Sequence, residues 1–121
     1  MRGTIITLPC SGARVTTPLY RPPKLDQLKA AVGGGNVELV PGFDTIEYEG
    51  KVVPCVVFCD KESKLRNQPI NFDATIMWDA ALLRGGYPGL LKPDGRMADI
   101  LFGQVAVVVG DAEFMAAPPP G

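Results

Sequence analysis

At 121 residues, with twelve basic against thirteen acidic residues and a formal net charge of −1, the chain has no whole-molecule attraction to nucleic acid or anionic lipid. It has no histidine, which removes the usual zinc ligand sets and the cysteine–histidine nucleophile. Its hydrophobic content of 46% against 21% charged residues is ordinary for a globular protein, and one domain of this length buries about two thirds of the surface its unfolded chain exposes.

Thr4 to Leu8 is short and β-branched between Gly3 and Pro9, so it reads as a strand, with Ser11-Gly12 turning it into a partner over Ala13 to Leu19. The apolar run Ile5 to Leu8 is too short for a signal-peptide core or a membrane span. A cytoplasmic protein without a membrane partner is therefore expected. Pro22-Pro23 offers a rigid helix start. Leu25, Leu28 and Val32 keep helical spacing up to the Gly33-Gly34-Gly35 stop. These glycines follow a helix instead of opening one and lack the Gly-Lys-Ser/Thr ending of a phosphate loop.

Asn36 to Val40 reads as a strand. Ile46 to Glu49 alternates as a half-buried strand should, and Glu49-Gly50 can close a hairpin into Lys51 to Cys59. Pro54 interrupts that last strand and predicts irregular pairing there, because proline has no amide hydrogen for the ladder. Phe72, Ile76, Ala80 and Leu83 repeat at helical spacing and predict a helix from Phe72 to Leu83. Asn71 or Asp73 supplies its cap, Gly85-Gly86 ends it, and Trp78 is expected partly buried against the sheet. Tyr87 to Arg96 reads as a loop with a turn at Pro93-Asp94-Gly95. Gln104 to Val109, almost wholly apolar, is the best candidate for the central strand. The expected architecture is a single α+β domain over residues 1–115, a mostly antiparallel sheet with two helices packed on one face. Residues 116–121, with three consecutive prolines, are expected to form a disordered tail.

The chemistry-bearing residues are dispersed. Asp73 and Asp79 lie six apart and point to different sides of a helix. Glu47 and Glu49 fall on one face of an extended strand and are the one plausible acid pair, which a solvated strand face explains as simply. Cys55 and Cys59 would lie on one side of a strand, about 13 Å apart, too far to bridge. With Cys10 they make an odd set, which suits a reducing compartment and buried thiols. No nucleophile–base constellation can be assembled, so no catalytic residue, metal ligand or cofactor is assigned and the expectation is a protein that is not an enzyme. Arg14, Tyr20, Arg21, Lys24 and Lys29 lie close in sequence but form a weak basic signal, so nucleic acid is not an expected partner.

The most specific stretch runs from Cys59 to Trp78. With Leu25, Leu28, Val32-Gly33-Gly34 and Val37-Glu38 before it, it carries Asp60-Lys61-Glu62-Ser63-Lys64-Leu65, Pro69-Ile70-Asn71 and Ala74-Thr75. Asp99-Ile100, Gly103 and Val107 to Gly110 follow. On these residues, from about Leu19 to Gly110, the chain resembles the phage, plasmid and bacterial domain-of-unknown-function family numbered 3846. Ser63 stands where that family usually has glycine. The resemblance implies an origin on a mobile element or in a host rich in them, and an accessory role, and it supplies no catalytic residues.

The expected function is thus a small, non-catalytic accessory binding protein, acting by contact with a host or element-encoded macromolecule. The alternative is a binder of a small anionic ligand such as a nucleotide. For either, the candidate residues are Arg66, Asn67, Asn71, Asp73 and Thr75, at the positively polarised start of the Phe72 helix and in the polar loop before it. Their competing reading is structural, a cap that satisfies free amides at the helix start.

Overall fold

The computed structural model describes residues 1–116. Seven strands and three helices follow in the order β1 (Gly3–Leu8), β2 (Val15–Leu19), α1 (Leu25–Ala31), β3 (Val37–Leu39), β4 (Thr45–Tyr48), β5 (Lys51–Pro54), β6 (Val56–Asp60), α2 (Phe72–Arg84), β7 (Val105–Gly110) and α3 (Ala112–Ala116). Five strands form one sheet in the order β2-β1-β7-β6-β3, and each neighbouring pair is antiparallel. β4 and β5 form a separate hairpin. The protein is therefore α+β with an antiparallel sheet, as its residue patterns predict.

β7 is the middle strand. Its alternation supplies two cores: Val105, Val107 and Val109 face one side of the sheet, Ala106 and Val108 the other. Ile6, Leu8 and Val57 join the first side, where α2 brings Ala74, Trp78 and Ala81 and the β4–β5 hairpin brings Ile46. Ile5, Leu28, Val32 and Phe114 join the second side, from β1, α1 and α3. The helices are thus divided between the two faces, not gathered on one as expected, and a third helix completes them. Because β7 is apolar on both faces, both need a cover. The short α3 was hidden by its composition. It starts at Asp111, whose Oδ1 accepts the Phe114 amide at 2.9 Å, and the Phe114 ring lies where side chains on Gly3 and Gly110 would stand. Ala116 of the expected tail closes α3, and residues 117–121 lie outside the described part.

Pro54 acts as its chemistry predicts. The apolar stretch Lys51 to Asp60 is one run in sequence but two strands in space. Up to Pro54 it pairs with β4, and from Val56 it enters the main sheet between β7 and β3. The hairpin closes on Glu49 and Gly50 with φ of 51° and 78°, the two positive values that a tight two-residue turn requires. This moves Glu49 off the strand, so Glu47 and Glu49 do not share a strand face as expected.

Candidate functional site

The start of α2 is built from two buried polar residues. Asn71 is 0% exposed. Its Oδ1 accepts the Ala74 amide at 3.1 Å, while Nδ2 donates to the carbonyls of Leu8 at 3.0 Å and Gly103 at 2.9 Å. Its backbone amide donates to Leu101 O at 2.8 Å. One turn later, the Thr75 hydroxyl donates to Asn71 O at 2.8 Å and accepts the Leu101 amide at 3.0 Å. The two side chains therefore fasten three segments together: the end of β1, the first turn of α2 and the approach to β7. Among the described residues no buried side-chain nitrogen or oxygen lacks a partner. An amide that makes three hydrogen bonds inside the fold has little left for a ligand. The geometry assigns Asn71 and Thr75 to holding the helix start in place.

Arg66 and Asn67 lie in a helix-like turn between β6 and α2, which is closed by Asp60. That carboxylate is 5% exposed. It accepts the Glu62 amide at 3.0 Å and the Arg66 guanidinium at 3.1 Å from Oδ2. Arg66 lies over Gly35, whose φ of 83° and closeness to the guanidinium leave no room for a side chain. Asn67 is exposed with φ of 53° and ends the turn. Asp73 is exposed in the first turn of α2, where its charge favours the helix dipole. Of the five candidates, Asn71 and Thr75 are brought together in the interior. Arg66 is paired to Asp60, and Asn67 and Asp73 stand at the surface.

The outer side of α2 carries a feature that helical spacing alone does not assign to either face. Phe72, Ile76 and Leu83, whose spacing predicts the helix, are 67%, 65% and 58% exposed. The inward side is instead Ala74, Thr75, Trp78 and Ala81. Small residues let the helix lie close to the sheet, and its one large buried side chain, Trp78, anchors it by donating Nε1–H to Pro41 O at 2.8 Å. Helical periodicity shows that two apolar rows exist; it does not say which faces inward. The signal that separates them is the company each row keeps: Asn71 and Thr75 lie beside the buried row, Asp73 and Arg84 beside the exposed one.

Next to this exposed row, α2 and the β4–β5 hairpin enclose a groove of about 350 Å³. Its apolar walls come from Ile46, Ile76, Met77 and Ala80, and Arg14, Glu47 and Arg84 supply its charges. Arg84 is held in place by Thr45, donating from Nε to Oγ1 at 3.0 Å and from Nη2 to the carbonyl at 3.3 Å. Arg14 places Nη2 at 3.6 Å from Met77 Sδ. Among the described residues none of Arg14, Glu47, Asp73 and Arg84 takes part in an ion pair. The basic residues that cluster in sequence are divided in space, since Arg21 and Lys24 line a different groove with Tyr20.

The cysteines are free thiols. Burial, with Asp44 nearby, raises Cys55 from 9.0 to about 12. Burial, with Glu38, Asp60 and Asp99, raises Cys59 to about 11. Both are held in the protonated form, which is a poor nucleophile. Among the described residues no cluster of three or more histidine, cysteine or carboxylate side chains could hold a metal ion, and no helix is long and apolar enough to cross a membrane. No protein-family model matches the chain, and neither does any curated protein or solved structure.

Proposed function

We propose that this protein is a small, non-catalytic accessory binding protein of a phage or other mobile element, and that it acts by protein–protein contact through the outer face of α2. The supporting observation is the row Phe72, Ile76 and Leu83 standing in solvent on a well-anchored helix. Scattered exposed apolar residues are normal on any protein. An exposed apolar row along one helix, beside a groove with charges at its edge, has the features of an interaction surface. The helix beneath is fastened by Asn71, Thr75 and Trp78, so little ordering cost is expected when a partner docks. The mobile-element origin rests on the resemblance of the Cys59 to Trp78 stretch, and the expected compartment is the cytoplasm.

The anionic-ligand reading has less support, since the Asn71 side chain is fully engaged and Arg66 is paired to Asp60. One experiment weighs both. Tagged wild-type protein and Ile76→Glu are used as baits at physiological salt, and the same two proteins are screened by thermal shift against nucleotides. Capture of a protein that depends on Ile76, with a flat nucleotide screen, is the expected result. A nucleotide that raises the melting temperature of both proteins equally, with no Ile76-dependent capture, overturns it. A ligand at a hundred times its dissociation constant adds about 2.7 kcal/mol, well within detection.

A further inference from the structure

Asp73 and Arg84 lie about three turns apart on α2, which returns them to the same flank of the helix beside the Phe72–Ile76–Leu83 row. Each lacks an ion-pair partner among the described residues. A two-fold axis crossing the helix at residue 78 maps α2 onto an antiparallel copy of itself. Ile76 then lies opposite Ala80, Phe72 opposite Leu83 or Arg84, and Asp73 beside Arg84, each to within one residue, or about 1.5 Å of rise. Such an axis also keeps both flanking charges on the same side of the contact. The acidic end of one helix therefore meets the basic end of the other twice, and the helix dipoles oppose. The small Ala80 at the centre gives Ile76 a place to pack. Asp79, the other charge beside the row, is engaged by the Leu90 amide at 2.6 Å, and the groove places Arg14 against Met77 at mid-helix, with Glu47 as its one acidic member.

From this self-complementarity we infer that the occupant of the α2 face is a second copy of this chain, forming an isologous dimer through antiparallel α2 helices. Symmetric self-association is the commonest use of a self-complementary patch. The inference rests on reading the α2 face as a protein-contact surface, and it names the partner.

Sedimentation equilibrium of the full chain over a range of concentrations tests it. Wild-type protein is expected to sediment with twice the chain mass, and Ile76→Glu with the chain mass while keeping its circular dichroism and the buried emission of Trp78. Asp73→Arg places arginine against arginine and is expected to weaken the dimer by about tenfold or more. Asp73→Arg combined with Arg84→Asp restores opposite charges and should recover most of the loss. A wild-type protein that stays monomeric, or a dimer unaffected by Ile76→Glu, overturns the inference. If a monomeric wild type still captures a different protein in an Ile76-dependent way, the second copy is the wrong occupant and the contact surface stands. If it captures none, the proposed surface fails as well.

Discussion

The two sides of α2 depart from the usual order of polarity at its first turn. Toward the sheet, its first turn presents an asparagine and a threonine, both buried and both fully hydrogen-bonded. Toward solvent it presents phenylalanine, isoleucine and leucine. Buried polar side chains are tolerated because each finds its partners, and a single asparagine joining three segments specifies where the helix sits. The exposed apolar row has no such internal account. Inside, polarity serves position; outside, contact is the role proposed for the apolar row.

Substitutions on the two sides should therefore separate stability from association. Asn71→Ala is expected to have the largest effect. It strands the carbonyls of Leu8 and Gly103 and uncaps Ala74, and at about 1–3 kcal/mol for each orphaned buried group a loss of roughly 3 kcal/mol or more is expected from denaturant unfolding. A loss below about 1 kcal/mol, within the range of an ordinary cap, would mean that the three-way junction is not what holds the helix. Thr75→Val keeps the shape but removes the hydroxyl that accepts the Leu101 amide, and about 1–2 kcal/mol should be lost.

The thiols beneath α2 give a pH-dependent measure of the inner side. Cys55 and Cys59 ionise at about 12 and about 11 in the fold, against 9.0 ordinarily, so above pH 9 the unfolded chain releases protons that the native state retains. Their contribution is complete below pH 9 and is lost as pH rises through 11 and 12. Unfolding midpoints measured from pH 8 to 11 should fall. Replacing both cysteines with alanine should flatten that slope, and an unchanged slope would place its origin elsewhere. Smallest of all should be the effect of Phe72→Ser or Ile76→Ser on monomer stability, within about 0.5 kcal/mol. A destabilisation of 2 kcal/mol or more by either would show that the outer row packs internally, and the contrast between the two sides would collapse.

Residues with strong local rules were legible in sequence. Glu49-Gly50 closes a hairpin, Pro54 breaks the ladder, Gly33 ends α1, and the run Gln104 to Val109 lies at the centre of the sheet. Trp78 is buried, as its place in the helix predicts. Of the candidate residues, the sequence located the cap at Asn71 but not its bonds to Leu8 and Gly103, which are distant in the chain. That Arg14 and Arg84 line one groove was not legible, because nothing local indicates that the loop after β1 reaches α2.

Sequence by itself determined where the chain turns, which segments apart from α3 are helix or strand, and that the class is α+β, because these follow from backbone preferences and short-range periodicity. Tertiary structure decided that the helices divide between the two faces of the sheet. It also decided that the stretch around Pro54 serves two sheets, and that the Phe72, Ile76 and Leu83 row faces outward. The reason is that a helix with two apolar rows has two nearly equivalent ways to lie on a sheet. The choice between them depends on distant partners: the carbonyls of Leu8, Pro41 and Gly103 bind the side chains of Asn71 and Trp78 in one orientation.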